Sequence, residues 1–266
     1  MNFKDKRTLG RTRLSVSRMG LASGFGLPER AVIRAFEEFG INYFFWAEMR
    51  GGGMRDALKK LCRGSRDKLI VSCLSYDHTG LLIKWSVERM MKKINADYID
   101  ILTLGWYNYY PSRRVLDAAL SLSEEKKIRC IGMTGHNRRF FGKLLKEGGF
   151  PVDVITFRYN AAHPGAEEDI LPYAQDDPAL RPGLAVYTAT SWGKLLRKKN
   201  LPEGEKPLGP ADCYRFVLSQ SRVDLCLTGP KTEKEMEENF SALELGPLGP
   251  QDMERTRRIG RYIRGK

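Results

Sequence analysis

A short run of apolar residues followed by an amphipathic stretch recurs eight times along this sequence. The runs lie at 17–22, 41–46, 68–74, 98–104, 128–133, 153–158, 183–188 and 223–228, rich in Val, Ile, Leu, Phe and Tyr. Turn residues such as Gly40, Asp67, Asp97, Pro151 and Gly183 mark where they begin, so they read as buried strands. The stretches 28–39, 54–63, 79–95, 112–126, 137–147, 165–176, 210–220 and 231–243 read as helices. Ser112 caps one, and Thr232 with Glu235 three residues on forms a capping signature for the last. From residue 41 onward the runs begin every 25–40 residues or so, the spacing of parallel βαβ units. Eight such units predict a closed (β/α)8 barrel, which takes about 250 residues. An open doubly wound sheet would carry GxGxxG after its first strand. Gly20-Leu-Ala-Ser-Gly-Phe-Gly26 lacks that spacing, and no linker interrupts residues 1–266, so one domain is expected.

Composition narrows the function. Lys and Arg number 45 against 32 Asp and Glu, a net charge of +13. The excess gathers at the C-terminus in Arg255, Arg257, Arg258, Arg261, Arg264 and Lys266, where Met253, Ile259 and Ile263 form the apolar stripe of a last helix with a solvated basic face. No aromatic–basic alternation or nucleic-acid motif accompanies it, so a nucleic-acid partner is not expected. There is no run of eighteen apolar residues and no apolar signal region after Met1, which predicts a cytoplasmic protein without a membrane span. The five cysteines, Cys62, Cys73, Cys130, Cys213 and Cys226, are widely spaced and form no CxxC, as in a reducing compartment. HExxH is absent and no two histidines share a helical face, so no metal is expected.

In a barrel the chemistry sits on the loops that follow the strands. His78, His136 and His163 all follow predicted strands, and a histidine beside a pocket can shuttle protons near neutral pH. The glycines of Arg50-Gly-Gly-Gly-Met54 present amides that can hold a phosphate, or simply loosen a strand-to-helix loop. Residues 189–209, with Lys194, Arg197, Lys198 and Lys199 and several prolines, read as a mobile surface excursion.

Several segments are familiar. Arg7-Thr-Leu-Gly-Arg-Thr-Arg-Leu-Ser-Val-Ser-Arg-Met-Gly-Leu21 resembles the opening hairpin and first strand of aldo/keto reductases. Gly40-Ile-Asn-Tyr-Phe44 is similar to that family's second strand, Asp97-Tyr-Ile-Asp-Ile101 to its fourth, and Lys127-Ile-Arg-Cys-Ile-Gly-Met-Thr134 to its fifth. Gly229 to Asn239 is similar to its cofactor-phosphate loop. The resemblance spans nearly the whole chain and implies a TIM barrel with an N-terminal hairpin, binding NADP(H) across the strand ends, with NAD(H) the lesser alternative. On the cofactor side it places Thr134 at the nicotinamide amide and Tyr187 at the stacking position. Thr188, Lys231 and Thr232 match phosphate contacts, and Glu238 and Asn239 match adenine contacts. Gly135 and Thr156 replace the family's asparagine and glutamine, and Glu235 replaces its second phosphate-binding arginine. The catalytic tetrad does not carry over. Phe45 stands at the aspartate position, Arg50 at the tyrosine, Leu74 (or Cys73, one residue off) at the lysine and Gly105 at the histidine.

The rim offers replacements. Tyr76, His136 and His163 are candidate proton donors, with Arg50 and Arg158 placed to stabilise negative charge. Trp46, Glu48, Trp106, Asn137 and Asn160 are expected to line a substrate pocket. The leading expectation is an NADP(H)-binding oxidoreductase moving a hydride to or from a small carbonyl or alcohol substrate with a non-standard catalytic set. A non-redox lyase or isomerase using the rim residues, or an inactive cofactor-sensing protein, are the alternatives.

Overall fold

A computed structural model describes residues 2–47 and 52–265. Eight parallel strands close into a barrel: β3 (Met19–Ala22), β4 (Tyr43–Ala47), β5 (Ile70–Ser75), β6 (Ile99–Leu104), β7 (Ile128–Thr134), β8 (Val154–Arg158), β9 (Gly183–Tyr187) and β10 (Leu225–Thr228). Each pairs with the next, and Cys226 opposite Met19 closes the ring. All eight predicted strands are present. The strands are apolar almost throughout because helices cover their outer faces while side chains fill the interior.

Around the barrel run α1 (Glu29–Glu37), α2 (Gly52–Ser65), α3 (Gly80–Ile94), α4 (Arg113–Glu124), α5 (Arg138–Glu147), the short α6 (Ala166–Asp169), α7 (Pro210–Leu218), α8 (Glu233–Leu245) and α9 (Pro250–Arg264). Tyr43, Ile70, Ile101, Cys130, Val154, Ala185 and Leu225 pack inside the barrel. Leu9, Leu14 and Val16 plug its base, delivered by a hairpin of β1 (Arg7–Thr8) and β2 (Ser15–Val16). Gly10, at φ +49, lies so close to the backbone of Gly183 that any side chain there would collide.

The base is tied by one device used four times. A residue at the start of every second strand accepts an amide from the strand before it. Asn42 Oδ1 accepts Ser17 N (2.7 Å), Asp100 accepts Val71 N (2.9 Å), Asp153 accepts Ile131 N (2.9 Å) and Asp224 accepts Leu184 N (2.9 Å). The three carboxylates also hold arginines: Arg66 and Arg129 on Asp100, Arg11 on Asp153, Arg181 and Arg7 on Asp224.

Three expectations are corrected. The helix predicted over 165–176 breaks into α6 and a 3-10 turn at Leu171–Tyr173, because Pro172 has no N–H to extend the ladder. Residues 189–209 are anchored rather than loose. Leu195, Leu201 and Leu208 are buried, and Glu205 bonds Arg255 (2.9 Å) and Arg258 (2.8 Å) of α9. Those arginines, with Arg257 on Glu167 (2.9 Å), strap the last helix to the barrel instead of forming a merely solvated face. Its stripe is as expected, with Ile259 fully buried and Met253 and Ile263 against the core. No helix among the described residues is long and apolar enough to cross a membrane.

Candidate active site

A cavity of about 400 Å³ opens at the C-terminal ends of the strands. Strand alternation decides its walls. In β4 the inward positions are Phe45 and Ala47, and in β5 the end of the strand brings Leu74 and then Tyr76 to the cavity. Thr134, Gly135 and His136 come from the end of β7, Thr156 from β8, and Tyr187, Thr188, Ala189, Thr190 and Trp192 from β9 and its loop. Leu227 and Gly229 end β10, Tyr214 reaches in from α7, and Phe25 leans over from the loop after β3. The lining is apolar with a few hydroxyls, and among the described residues no Lys, Arg, Asp or Glu contributes to it.

Several expected residues meet here. Tyr76 stacks on Trp106 with ring centroids 4.7 Å apart, and burial raises its phenol pKa above the ordinary value. Tyr187 Oη lies 3.2 Å from His136 Nδ1 and 3.3 Å from the carbonyl oxygen of Gly135. Burial raises the Tyr187 pKa too. Thr156 Oγ1 is wholly buried at the cavity wall with no hydrogen-bond partner.

Others are displaced. Trp46 is fully buried in the helix layer, since its neighbour Phe45 takes the inward position and adjacent strand residues face opposite sides. Asn137 caps α5 through Phe140 N (3.1 Å) and donates to the carbonyl of Asn108 (3.2 Å). Asn160 is buried as a loop organiser, donating to the Thr188 carbonyl (2.8 Å) and accepting the amides of Ala162 and His163 (3.0 Å each). None of the three lines the cavity. Arg158 and His163 stand behind Trp192, the guanidinium 5.5 Å from its ring centroid and the imidazole edge-on at 5.9 Å. They support a wall residue and do not enter the cavity. His78 packs on Tyr107 at 4.7 Å. Glu48 and Arg50 lie outside the described residues. Gly53, in the glycine run considered as a phosphate cradle, packs against the carbonyl of Leu27, which explains its missing side chain.

The segment opening α8 forms the capping arrangement expected of it. Thr232 Oγ1 accepts Glu235 N (3.2 Å), and the Glu235 carboxylate accepts Lys231 N (2.8 Å). Asn239 donates to Thr228 Oγ1 (2.8 Å), which also meets Tyr214 Oη (2.7 Å), while Glu238 is exposed beside Lys234. Phe25, Thr190, Trp192 and Tyr214 were not foreseen. For Phe25 and Trp192 a signal existed, since both sit on loops directly after predicted strands.

The half-buried His163 has a pKa below the ordinary histidine value. Burial is the main cause, followed by Arg158, Lys194, Arg138 and Arg264. The unfolded chain therefore takes up this proton first as pH falls, so the associated stability is complete above about pH 6.5 and is lost below it. The melting temperature is expected to drop between pH 7.5 and 5, and His163→Gln to remove part of that drop. Identical slopes in both proteins would rule out the linkage.

Comparison with known proteins bears on the family and the fold. The family model described as the aldo/keto reductase family matches residues 29–210. L-galactose dehydrogenase of Arabidopsis thaliana is 24% identical over 92% of this chain and 90% of its own length. Methylglyoxal reductase YeaE of Escherichia coli is 26% identical over 63% of this chain and 60% of its own. In structure, the holo form of an aldo-keto reductase from Bacillus halodurans superposes with a TM-score of 0.79 at 22% identity, covering 96% of each chain. Barrel, pocket position and sequence match converge: the chain belongs to the aldo/keto reductase family and is one of its NAD(P)H-type oxidoreductases.

Proposed function

We propose that residues 1–266 form one catalytic domain that uses NADP(H) to interconvert a small carbonyl compound and its alcohol, with a catalytic set unlike that of the family. The observation that carries the reading is the contrast between two walls of one cavity. On the β7–β8 side Thr134 borders the cavity, and the buried Thr156 hydroxyl, without a partner, is suited to the carboxamide of a nicotinamide. On the β4–β5 side Phe45 and Leu74 face inward where the family's aspartate and lysine would stand. A hydrocarbon pair there cannot lower the pKa of a tyrosine, so the family's acid is not assembled.

The residues present fit the dinucleotide. Thr134, Thr156 and Tyr187 would hold and flank the nicotinamide, Thr188, Lys231 and Thr232 the phosphates, and Glu238 and Asn239 the adenine. When bound, the dinucleotide supplies or accepts a hydride. Phe45, Leu74 and Leu227 keep the reacting end dry, which strengthens every polar contact around it. The substrate class follows the named activities of the relatives, a dehydrogenase of L-galactose and a reductase of methylglyoxal.

Glu235 places a carboxylate at the start of α8, so the preference for a 2′-phosphate rests on the Lys231 side chain. Titration with NADPH and NADH, followed by fluorescence and calorimetry, is expected to give micromolar or tighter binding with NADPH favoured. Lys231→Glu should weaken NADPH roughly 10- to 100-fold and leave NADH nearly unchanged. Absence of binding by either would sink the redox reading. The Tyr187–His136 contact would then favour non-redox acid–base chemistry in the same cavity.

A further inference from the structure

The end of β6 is shaped around one side chain from β5. A Cβ at Gly105 would fall 2.6 Å from Cδ1 and 2.9 Å from Cε1 of Tyr76, so the phenol ring occupies the volume that any side chain at 105 would need. The next residue, Trp106, adopts φ +61, a conformation that costs a bulky residue energy, and its indole packs against the phenol with centroids 4.7 Å apart and the rings tilted by 50°. Tyr76 is thereby held by contacts with both Gly105 and Trp106 at the cavity wall, beside Leu74. It also remains 42% exposed, open to proton exchange with water.

We infer that Tyr76 is the proton donor of this enzyme and that Gly105 is its positioning residue. The assignment rests on the redox reading above. In reduction a bound dinucleotide would supply a hydride to the carbonyl carbon and be oxidised in doing so; the π pair would move onto oxygen, and that oxygen would take the proton from Tyr76 Oη. The carbonyl would become an alcohol, and the Tyr76 phenolate would recover its proton from water. A neutral phenol is acid enough because the nascent alkoxide is far more basic. A phenol is protonated through neutral pH, and partial burial moves Tyr76 further in that direction. The titratable groups around it are Asp77 and His78 on its own loop, Tyr107 from the β6 loop, His136 from the end of β7 and Tyr187 from β9.

The test uses the full-length protein, NADPH and 4-nitrobenzaldehyde. Tyr76→Phe is expected to lower kcat by about 100-fold or more, with the NADPH dissociation constant and melting temperature unchanged. Gly105→Ala, which pushes the ring aside, should lower kcat at least about tenfold with NADPH affinity retained. Reduction by the wild type should be flat from pH 6 to 9 or so and fall only above the ordinary tyrosine range. A Tyr76→Phe enzyme within threefold of wild type overturns the assignment while leaving the redox reading standing. So does a wild-type rate that already falls near pH 6.5, where imidazoles ordinarily titrate, whereas a protein that binds NADPH but does not reduce the aldehyde overturns the redox reading with it. Protein that binds neither dinucleotide overturns both.

Discussion

Asp224→Asn is expected to destabilise the protein by about 3–5 kcal/mol, read as a lower urea midpoint at unchanged slope. Asp224 is fully buried, and its two oxygens accept both terminal nitrogens of Arg181 at 2.8 Å, while Arg7 Nε lies 3.2 Å away and Leu184 N donates at 2.9 Å. Arg181 is itself only 2% exposed. The amide keeps the size of the carboxylate but leaves that guanidinium with no counter-charge, and a buried unpaired cation accounts for most of the loss. The internal control is Asp153→Asn. That carboxylate is about a third exposed and pairs with an equally exposed Arg11, so a loss of about 1 kcal/mol or less is expected. Equal losses at the two sites would show that burial of the pair is not what matters.

An asparagine at position 135, where the resemblance to the family would put one, should damage the fold rather than improve the site. A Cβ on Gly135 collides with the carbonyl oxygen of Tyr107. The Tyr107 backbone cannot withdraw easily, because its N–H donates to Thr134 O (2.9 Å) and the adjacent Asn108 side chain accepts the amides of His136 and Asn137 (2.7 and 2.8 Å). Gly135→Asn is expected to cost about 1–3 kcal/mol as an overpacking change, measured by the same urea titration. Gly149→Asn makes the comparison: it has a positive φ of +72 but open space around it, and asparagine tolerates that conformation. Similar losses at both positions would mean that the clash with Tyr107 is not what costs stability at position 135.

Gly105 and Gly135 explain what the sequence made readable and what it did not. Strand periodicity located all eight strands, because fully buried parallel strands leave continuous apolar runs. The same alternation separates Phe45, facing the cavity, from Trp46, facing the helices, so the placement of Trp46 was legible in the parity of β4. Asn137 and Asn160 look like pocket residues in a linear sequence because polar side chains on rim loops serve ligands and loop backbones equally well. Only the hydrogen-bond partners distinguish the two uses. Gly105 and Gly135 read from sequence only as positions without side chains. In three dimensions the ring of Tyr76 fills one of those spaces and the Tyr107 backbone closes the other. Contacts between segments some 30 residues apart carry that information, and no local pattern does.

The fourfold tie at the base of the barrel has a consequence for the opposite end. Trp106, Thr188, Ser191 and Trp192 all hold positive φ angles on loops at the mouth. Such conformations can persist only where the rest of the molecule holds its shape without help from those loops. Asn42, Asp100, Asp153 and Asp224 anchor the strands from below, so the mouth is relieved of structural duty. A barrel divided in this way can exchange its reactive residues, one loop at a time, while its frame stays constant. Phe45 and Leu74 line the mouth of a barrel built in this way, where a change of side chain can alter the chemistry on an unaltered chassis.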